Sequence, residues 1–291
     1  MPLLPPGATQ ESYRRLRLAS ELGEQCPPGL WEEIAVTGSV ALGVADAASD
    51  LELNLWSDTL PSLGERAAWL ERVGATDIRQ LAEPLADGFI AAFTYKDAAV
   101  EVGWQASSAL DGLLTTIHAG DVLGHGRLVV AWVVANAVPV CSTGRLAAWQ
   151  RRLATCPDRL QQQLIEANTR VFQDLHAMQG RWTYCRCGQH LALTERLLWS
   201  TYNVLRLLFA LNRQWEPDWK WLRHVPRNLA SKPDQLVERI DRTFLAPTLE
   251  ERVRANHELI LDTLLLLPSS PDVERAQRVI QSTLRTVQGS G

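Results

Sequence analysis

The sequence predicts an α/β chain in the broad sense (α+β), with strands and helices in its first half and helices alone in its second. Three observations carry this. Residues 50–56 (Asp50-Leu51-Glu52-Leu53-Asn54-Leu55-Trp56) alternate strictly between polar and apolar until the final tryptophan, the side-chain period of a half-buried strand. Val100-Glu101-Val102 repeats the device with one carboxylate between two apolar residues. After Cys141-Ser142-Thr143-Gly144 the strand signals stop, and every long stretch from Arg145 onward has helical spacing. The division falls near residue 142, giving domains of 1–142 and 143–291, each long enough for its own core.

Taken in order, Pro2, Pro5 and Pro6 mark a loose arm, and residues 9–24 place apolar and basic residues at helical spacing. Residues 34–36 read as a strand feeding the Gly38-Ser39 turn. Leu63, Ala67, Leu70 and Val73 give residues 62–73 a helical stripe. Residues 88–96 and 98–104 read as an antiparallel pair turning at Lys96-Asp97. Residues 106–118 read as a helix, and 128–134 and 138–140 as the last strands. In the second half the helices are expected at 145–179 (broken near Pro157), 189–213, 219–229, 233–244, 248–266 and 271–287. Prolines 157, 217, 226, 233, 247, 268 and 271 punctuate them.

The strand period puts Asp50 and Glu52 on one face and Leu51, Leu53 and Leu55 on the other. Together with Glu101 on a neighbouring strand, these carboxylates are hard oxygen donors suited to one or two Mg²⁺ ions held against nucleotide phosphates. Glu101 has two readings: third metal ligand, or general base for an acceptor hydroxyl. Gly38 lets backbone approach a phosphate without a Cβ in the way. Ser39 can donate its hydroxyl and N–H to a phosphate, or serve only as a helix cap. Ser49 supports either the loop or a phosphate, or is a plain turn residue.

The run Thr37-Gly38-Ser39-Val40-Ala41-Leu42-Gly43, then Ser49-Asp50-Leu51-Glu52, then Val100-Glu101-Val102, resembles the nucleotidyltransferase superfamily, and within it the bacterial aminoglycoside nucleotidyltransferases. Residues 211–221 are similar to the helical domain that follows such a catalytic domain in other members. Glu52 departs from the Asp that many relatives carry there; some drug-modifying members also have Glu. The resemblance implies a mixed-sheet catalytic domain, a helical bundle behind it, and an active site between them. It implies Mg²⁺ on Asp50 and Glu52, phosphate held by Gly38 and Ser39, Glu101 as base, and Lys220 reaching the triphosphate. ATP is the implied donor and a small hydroxylated molecule the acceptor.

Composition narrows the partners. With 29 basic and 33 acidic residues the net charge is -4, against the basic surface that gripping nucleic acid needs, so a nucleic-acid partner is not expected. A cationic small molecule suits a mildly acidic protein better. Apolar content of 46% fits a globular chain, and the apolar run at 259–267 is too short to span a bilayer. The start lacks a basic, apolar leader and the five cysteines are odd in number and scattered, so a reduced cytoplasmic setting is expected. Cys185-Arg186-Cys187 with His190 lacks the second cysteine pair of a structural zinc site. Gly124-His125-Gly126 reads as a loop whose histidine is exposed or hydrogen-bonded, and Tyr202 and Asn203 read as packing residues or as lining the same cleft as Lys220. The eleven tryptophans read mostly as core. Lysine occurs only at 96, 220 and 232, which singles out Lys220. The expected activity is AMP transfer to an aminoglycoside-like acceptor. The alternatives are a protein-modifying adenylyltransferase of the antitoxin type and a nucleotide-binding relative without turnover.

Overall fold

Among the described residues six strands form one mixed sheet: β1 (Glu33–Val36), β2 (Leu51–Ser57), β3 (Thr76–Gln80), β4 (Gly88–Tyr95), β5 (Ala98–Ala106) and β6 (Val138–Ser142). The computed structural model describes residues 4–80, 88–121 and 124–288. The strand order is β3-β4-β5-β2-β1-β6. The β2–β5 pair is parallel, and the other pairs are antiparallel. The chain returns from β2 to β5 by way of β3 and β4, the long route that a parallel neighbour requires.

The helices are α1 (Gln10–Glu24), α2 (Gly38–Ala41), α3 (Leu63–Arg72), α4 (Ser107–Ala119), α5 (His125–Asn136), α6 (Arg145–Arg152), α7 (Asp158–Arg170), α8 (Leu175–Arg186), α9 (His190–Leu211), α10 (Leu236–Leu245), α11 (Leu249–Leu266) and α12 (Pro271–Gln288). They fall into two compact units. One holds Met1–Ile117 with Val130–Ala154, and the other His118–Val129 with Thr155–Gly291. Helix α5 therefore begins in the second unit and ends in the first.

In the first unit, Leu51, Leu53 and Leu55 of β2 and Val100, Val102 and Trp104 of β5 share one core with Leu16, Ala19 and Leu22 of α1 and Trp69 and Leu70 of α3. Trp69 meets Trp104 edge to face, centroids 5.9 Å apart, the arrangement their ring quadrupoles favour. Helix α3 starts on a capping box in which Ser62 and Glu65 satisfy each other's backbone N–H groups. The hairpin expected at Lys96-Asp97 is present, with Tyr95 opposite Ala98 and Lys96 at φ +54°.

Two polar devices tie the first unit together. The start of α1 grips the loop between α2 and β2: Thr9 donates its hydroxyl to the Ala45 carbonyl (2.6 Å), and the Ala45 N–H donates to the buried Ser12 hydroxyl (3.1 Å). At the far end of β1 the buried Glu33 accepts from Thr143 N–H, Thr143 Oγ1 and Arg145 N–H, fixing the exit of β6 into α6. Arg145 in turn pairs with Glu32, Asp58 and Asp111 at 2.7–2.8 Å.

The second unit is helical. Its apolar core draws on Leu205, Leu208 and Phe209 of α9, Leu259 and Ile260 of α11 and Ala276 and Ile280 of α12. A buried polar layer crosses it, where Arg181 donates to Asn256 (3.2 Å) and Ser200 donates to the same oxygen (2.9 Å). Burial beside that guanidinium pushes His257 down to about 3, so the ring stays neutral. No helix among the described residues is long and apolar enough to cross a membrane, and the cysteines are free. Eight tryptophans are buried.

Three expectations fail. Residues 128–134, read as a strand, lie within helix α5. An unbroken apolar run carries no period of its own; here Leu128, Ala131 and Trp132 are buried at the helical spacing i, i+3, i+4, and Val134 is buried as well. Residues 219–229 form two 3-10 turns, Trp219–Trp221 and Pro226–Asn228, instead of one helix. Pro226 lacks the N–H a continuing helix needs. The helix expected over 145–179 is α6, α7 and α8, broken at Asp174 as well as before Asp158, with α8 running on to Arg186.

The α1 grip is testable. Ser12→Ala leaves the buried Ala45 N–H without its acceptor, which should cost about 1–3 kcal/mol. Urea denaturation of the variant is expected to show a lowered midpoint with the slope unchanged, and an unaltered midpoint would mean that the loop is held by other contacts.

Candidate active site

The polar face of the sheet centre is built in rows by the parallel register of β2 and β5. Glu52 lies opposite Glu101, Asn54 opposite Gly103 and Trp56 opposite Gln105. Leu51, Leu53, Leu55, Val100, Val102 and Trp104 alternate with them into the core, so the hydrophobic set and the carboxylates are specified by one register. In the first row both glutamates are half-buried. On the other side of Glu101, β4 supplies Ala92. In the second row Asn54 donates to the Thr37 hydroxyl (2.9 Å), and a side chain at 103 would press on Asn54, with a Cβ only 3.2 Å from Oδ1. In the third the Trp56 indole donates to Gln105 (3.0 Å).

Gly38 and Ser39 open the single-turn helix α2 directly after β1. The Thr37 N–H donates to the Glu52 carbonyl (3.0 Å), which continues the β1–β2 ladder up to the turn. Gly38 is buried with φ +60°, and a Cβ there would collide with the Glu52 carboxylate. The carboxylate group of Glu52 therefore leans over bare backbone, which only glycine supplies at this φ. Ser39 is half-buried inside α2, and the residue at the cap position is Thr37, whose side chain makes no capping bond. Asp50 is exposed at the entry to β2, one residue before the strand.

Gly38, Ser39, Glu52 and Glu101 thus belong to adjoining elements of the first unit, with Asp50 beside them in sequence. Ser49 is occupied elsewhere: its hydroxyl accepts from Asp46 N–H and donates to the Asp46 carboxylate, each at 3.0 Å. Lys220 belongs to the second unit, exposed on the 3-10 turn Trp219–Trp221, where its N–H donates to Asp218 (2.9 Å). Tyr202 stacks parallel to Trp219, and buried Asn203 donates to the Trp199 carbonyl. The expected Gly124-His125-Gly126 loop is only partly one, because His125 begins α5.

Two groups of residues escape a sequence reading. Asn54 and Thr37 support the carboxylate row from below; Asn54 extends the alternation of Asp50 and Glu52, so that signal was present. Glu216, by contrast, is joined to His125 across 91 positions, and nothing local in the sequence announces the pairing.

Among the described residues no group of three or more His, Cys, Asp or Glu side chains is arranged to hold a metal ion. The donor chemistry still fits Mg²⁺. This ion takes oxygen ligands and is usually held by one or two carboxylates, the rest of its shell coming from phosphate and water.

Residues 126–222 match a family model described as a domain of unknown function (DUF4037). A comparison with curated proteins gives no match. Among solved structures, the chain is similar to a nucleotidyltransferase-like protein from Exiguobacterium sibiricum at 11% identity and a TM-score of 0.41. That likeness covers 94% of this chain and 77% of the other.

Gly38→Ala places a Cβ both at positive φ and against Glu52. The left-handed backbone alone costs an L-residue about 1–2 kcal/mol. The unfolding midpoint is expected to fall accordingly; a midpoint equal to that of the unaltered protein would show that the turn relaxes freely and does not constrain Glu52.

Proposed function

We propose that this protein is a Mg²⁺-dependent nucleotidyltransferase that moves AMP from ATP onto a hydroxyl of a small, cationic acceptor of the aminoglycoside type. The observation that carries the reading is the in-register row of Glu52 and Glu101 with Gly38 at the foot of Glu52. Carboxylates side by side on neighbouring strands repel, at a cost that a bound cation offsets. A sequence that keeps both, above a glycine that makes room for one of them, has the form of a cation and phosphate site.

In this reading Asp50 and Glu52 hold Mg²⁺. The bound ion supplies charge neutralisation at the nucleotide phosphates and the leaving pyrophosphate. Gly38 and Ser39 present backbone and hydroxyl to a phosphate oxygen. Glu101 takes the proton from the acceptor hydroxyl as its oxygen bonds to the α-phosphorus, and the bond from that phosphorus to the bridging oxygen breaks to release pyrophosphate. Two carboxylates suffice for the ion, which leaves Glu101 for the proton. The net charge of -4 favours a cationic acceptor over nucleic acid.

Asp50→Asn and Glu52→Gln each remove a charged donor from a two-carboxylate site. Each is expected to abolish Mg²⁺-dependent transfer, a loss of several kcal/mol in transition-state stabilisation, with circular dichroism unchanged. Normal turnover in Asp50→Asn would remove the proposal.

Glu101→Gln separates base from ligand, because glutamine is nearly isosteric and loses only proton acceptance. As the base variant it should bind Mg·ATP in calorimetry with near-normal affinity while transfer falls about 10²–10⁴-fold. Loss of Mg·ATP affinity in parallel with turnover would instead make Glu101 a metal ligand.

A further inference from the structure

The polar face of the sheet has one gap that the reaction above leaves unused. Gly103 lies on β5 between Glu101 and Gln105, opposite Asn54 of β2, so the carboxylate row and the Trp56–Gln105 pair flank a position with no side chain. Its φ is not positive, and both strand pairings run through it in unbroken register, so the backbone does not call for glycine there. What glycine supplies is room, as where a ligand comes close to a strand. A Cβ at 103 would meet Asn54 Oδ1 at 3.2 Å, and beyond its chain neighbours no other atom of the described residues lies within 4 Å.

Asn54 presents a fixed oxygen to this gap. Its Nδ2 donates to the hydroxyl of buried Thr37 (2.9 Å), which sets the plane of the amide and leaves Oδ1 on the Gly103 side. Asn54 and Gly103 are both half-buried, and among the described residues no donor is bonded to Oδ1. An amide oxygen only accepts, and Glu52 and Glu101 stand in the next row, so a phosphate gains nothing here. The group that fits is an O–H or N–H donor, an ammonium above all.

We propose that the gap over Gly103 is the subsite for the acceptor molecule, in which Asn54 Oδ1 takes a hydrogen bond from one of its hydroxyl or ammonium groups. The inference deepens the reading above and rests on it, because Glu101 is there the base for the acceptor hydroxyl. Two residues along a strand span about 7 Å, and one amino-sugar ring with its substituents covers that distance from Glu101 to the gap. Gly38 and Ser39, which meet phosphate in that reading, follow β1, on the far side of β2 from Gly103. Acceptor and phosphates thus lie on different sides of the carboxylate row. Every residue involved belongs to the first unit.

The test measures KM for ATP, KM for the acceptor, kcat and the thermal midpoint with kanamycin, gentamicin and neomycin as acceptors, in Asn54→Leu, Asn54→Asp and Gly103→Ala. Asn54→Leu should raise KM for the acceptor by roughly 10–100-fold, the scale of one hydrogen bond to a charged group, and leave KM for ATP unchanged. Asn54→Asp offers oxygen acceptors and no N–H, so it should keep KM for the acceptor near that of the unaltered protein. Gly103→Ala spares the Thr37 bond and fills the gap with one methyl group; KM for the acceptor should rise without a fall in midpoint. An unchanged acceptor KM in Gly103→Ala overturns the subsite, and so does a rise in KM for ATP in its place. Asn54→Asp as weak as Asn54→Leu overturns the role of the oxygen. No transfer to any of the three by the unaltered protein overturns the aminoglycoside reading, and this inference with it.

Discussion

The parallel register between β2 and β5 is the constraint on which the rest of the first unit depends. A strand has only two faces, so the register that sends Leu51, Leu53 and Leu55 into the core with Val100, Val102 and Trp104 also sets Glu52 beside Glu101. A slip of one residue would bury the glutamates and expose the leucines, at a cost of several kcal/mol on either count. Hydrophobic burial thereby holds two carboxylates together that would otherwise separate. The neighbouring devices serve this pair: β1 runs into Gly38 beneath Glu52, Asn54 and Thr37 brace the next row, and α1 grips the loop that leads into Asp50.

The second unit obeys a different logic. Its helices bury a conventional apolar core, but the segment that carries Lys220 has no regular structure to rely on. Order there comes from side chains: a buried Glu216 between a histidine and an arginine, and parallel rings on Trp219. Removing one partner of such a buried pair costs more than the pair itself contributes, since the other charge is left without compensation. A short turn held in this way can be rigid where its backbone alone would not be.

Much of the first unit was legible because its signals are local. The alternation at 50–56, the Lys96-Asp97 turn and the helical stripe of 62–73 each state their own geometry within a few residues, and each appears as strand, hairpin and capped helix. The run Leu128-Val129-Val130-Ala131-Trp132-Val133-Val134 was misread because a continuous apolar stretch rich in valine favours a strand by propensity and has no period to contradict it. Tertiary packing decided for a helix. The His125–Glu216 pair was out of reach altogether: its partners are 91 residues apart, and a histidine between two glycines looks like a loop until α9 and Trp219 are in place. The carboxylate row could be anticipated from strand period, whereas its in-register pairing is a property of the folded sheet.

The central claim is that this carboxylate face transfers a nucleoside monophosphate. The most direct measurement incubates the protein with Mg²⁺ and ATP labelled at either the α- or the γ-phosphorus, in the presence of aminoglycoside and lincosamide acceptors or a cell lysate. The account predicts that α-label moves onto an acceptor while γ-label appears in pyrophosphate in equal amount. Transfer of the γ-label, or bound ATP with no label transferred to any acceptor, would contradict it.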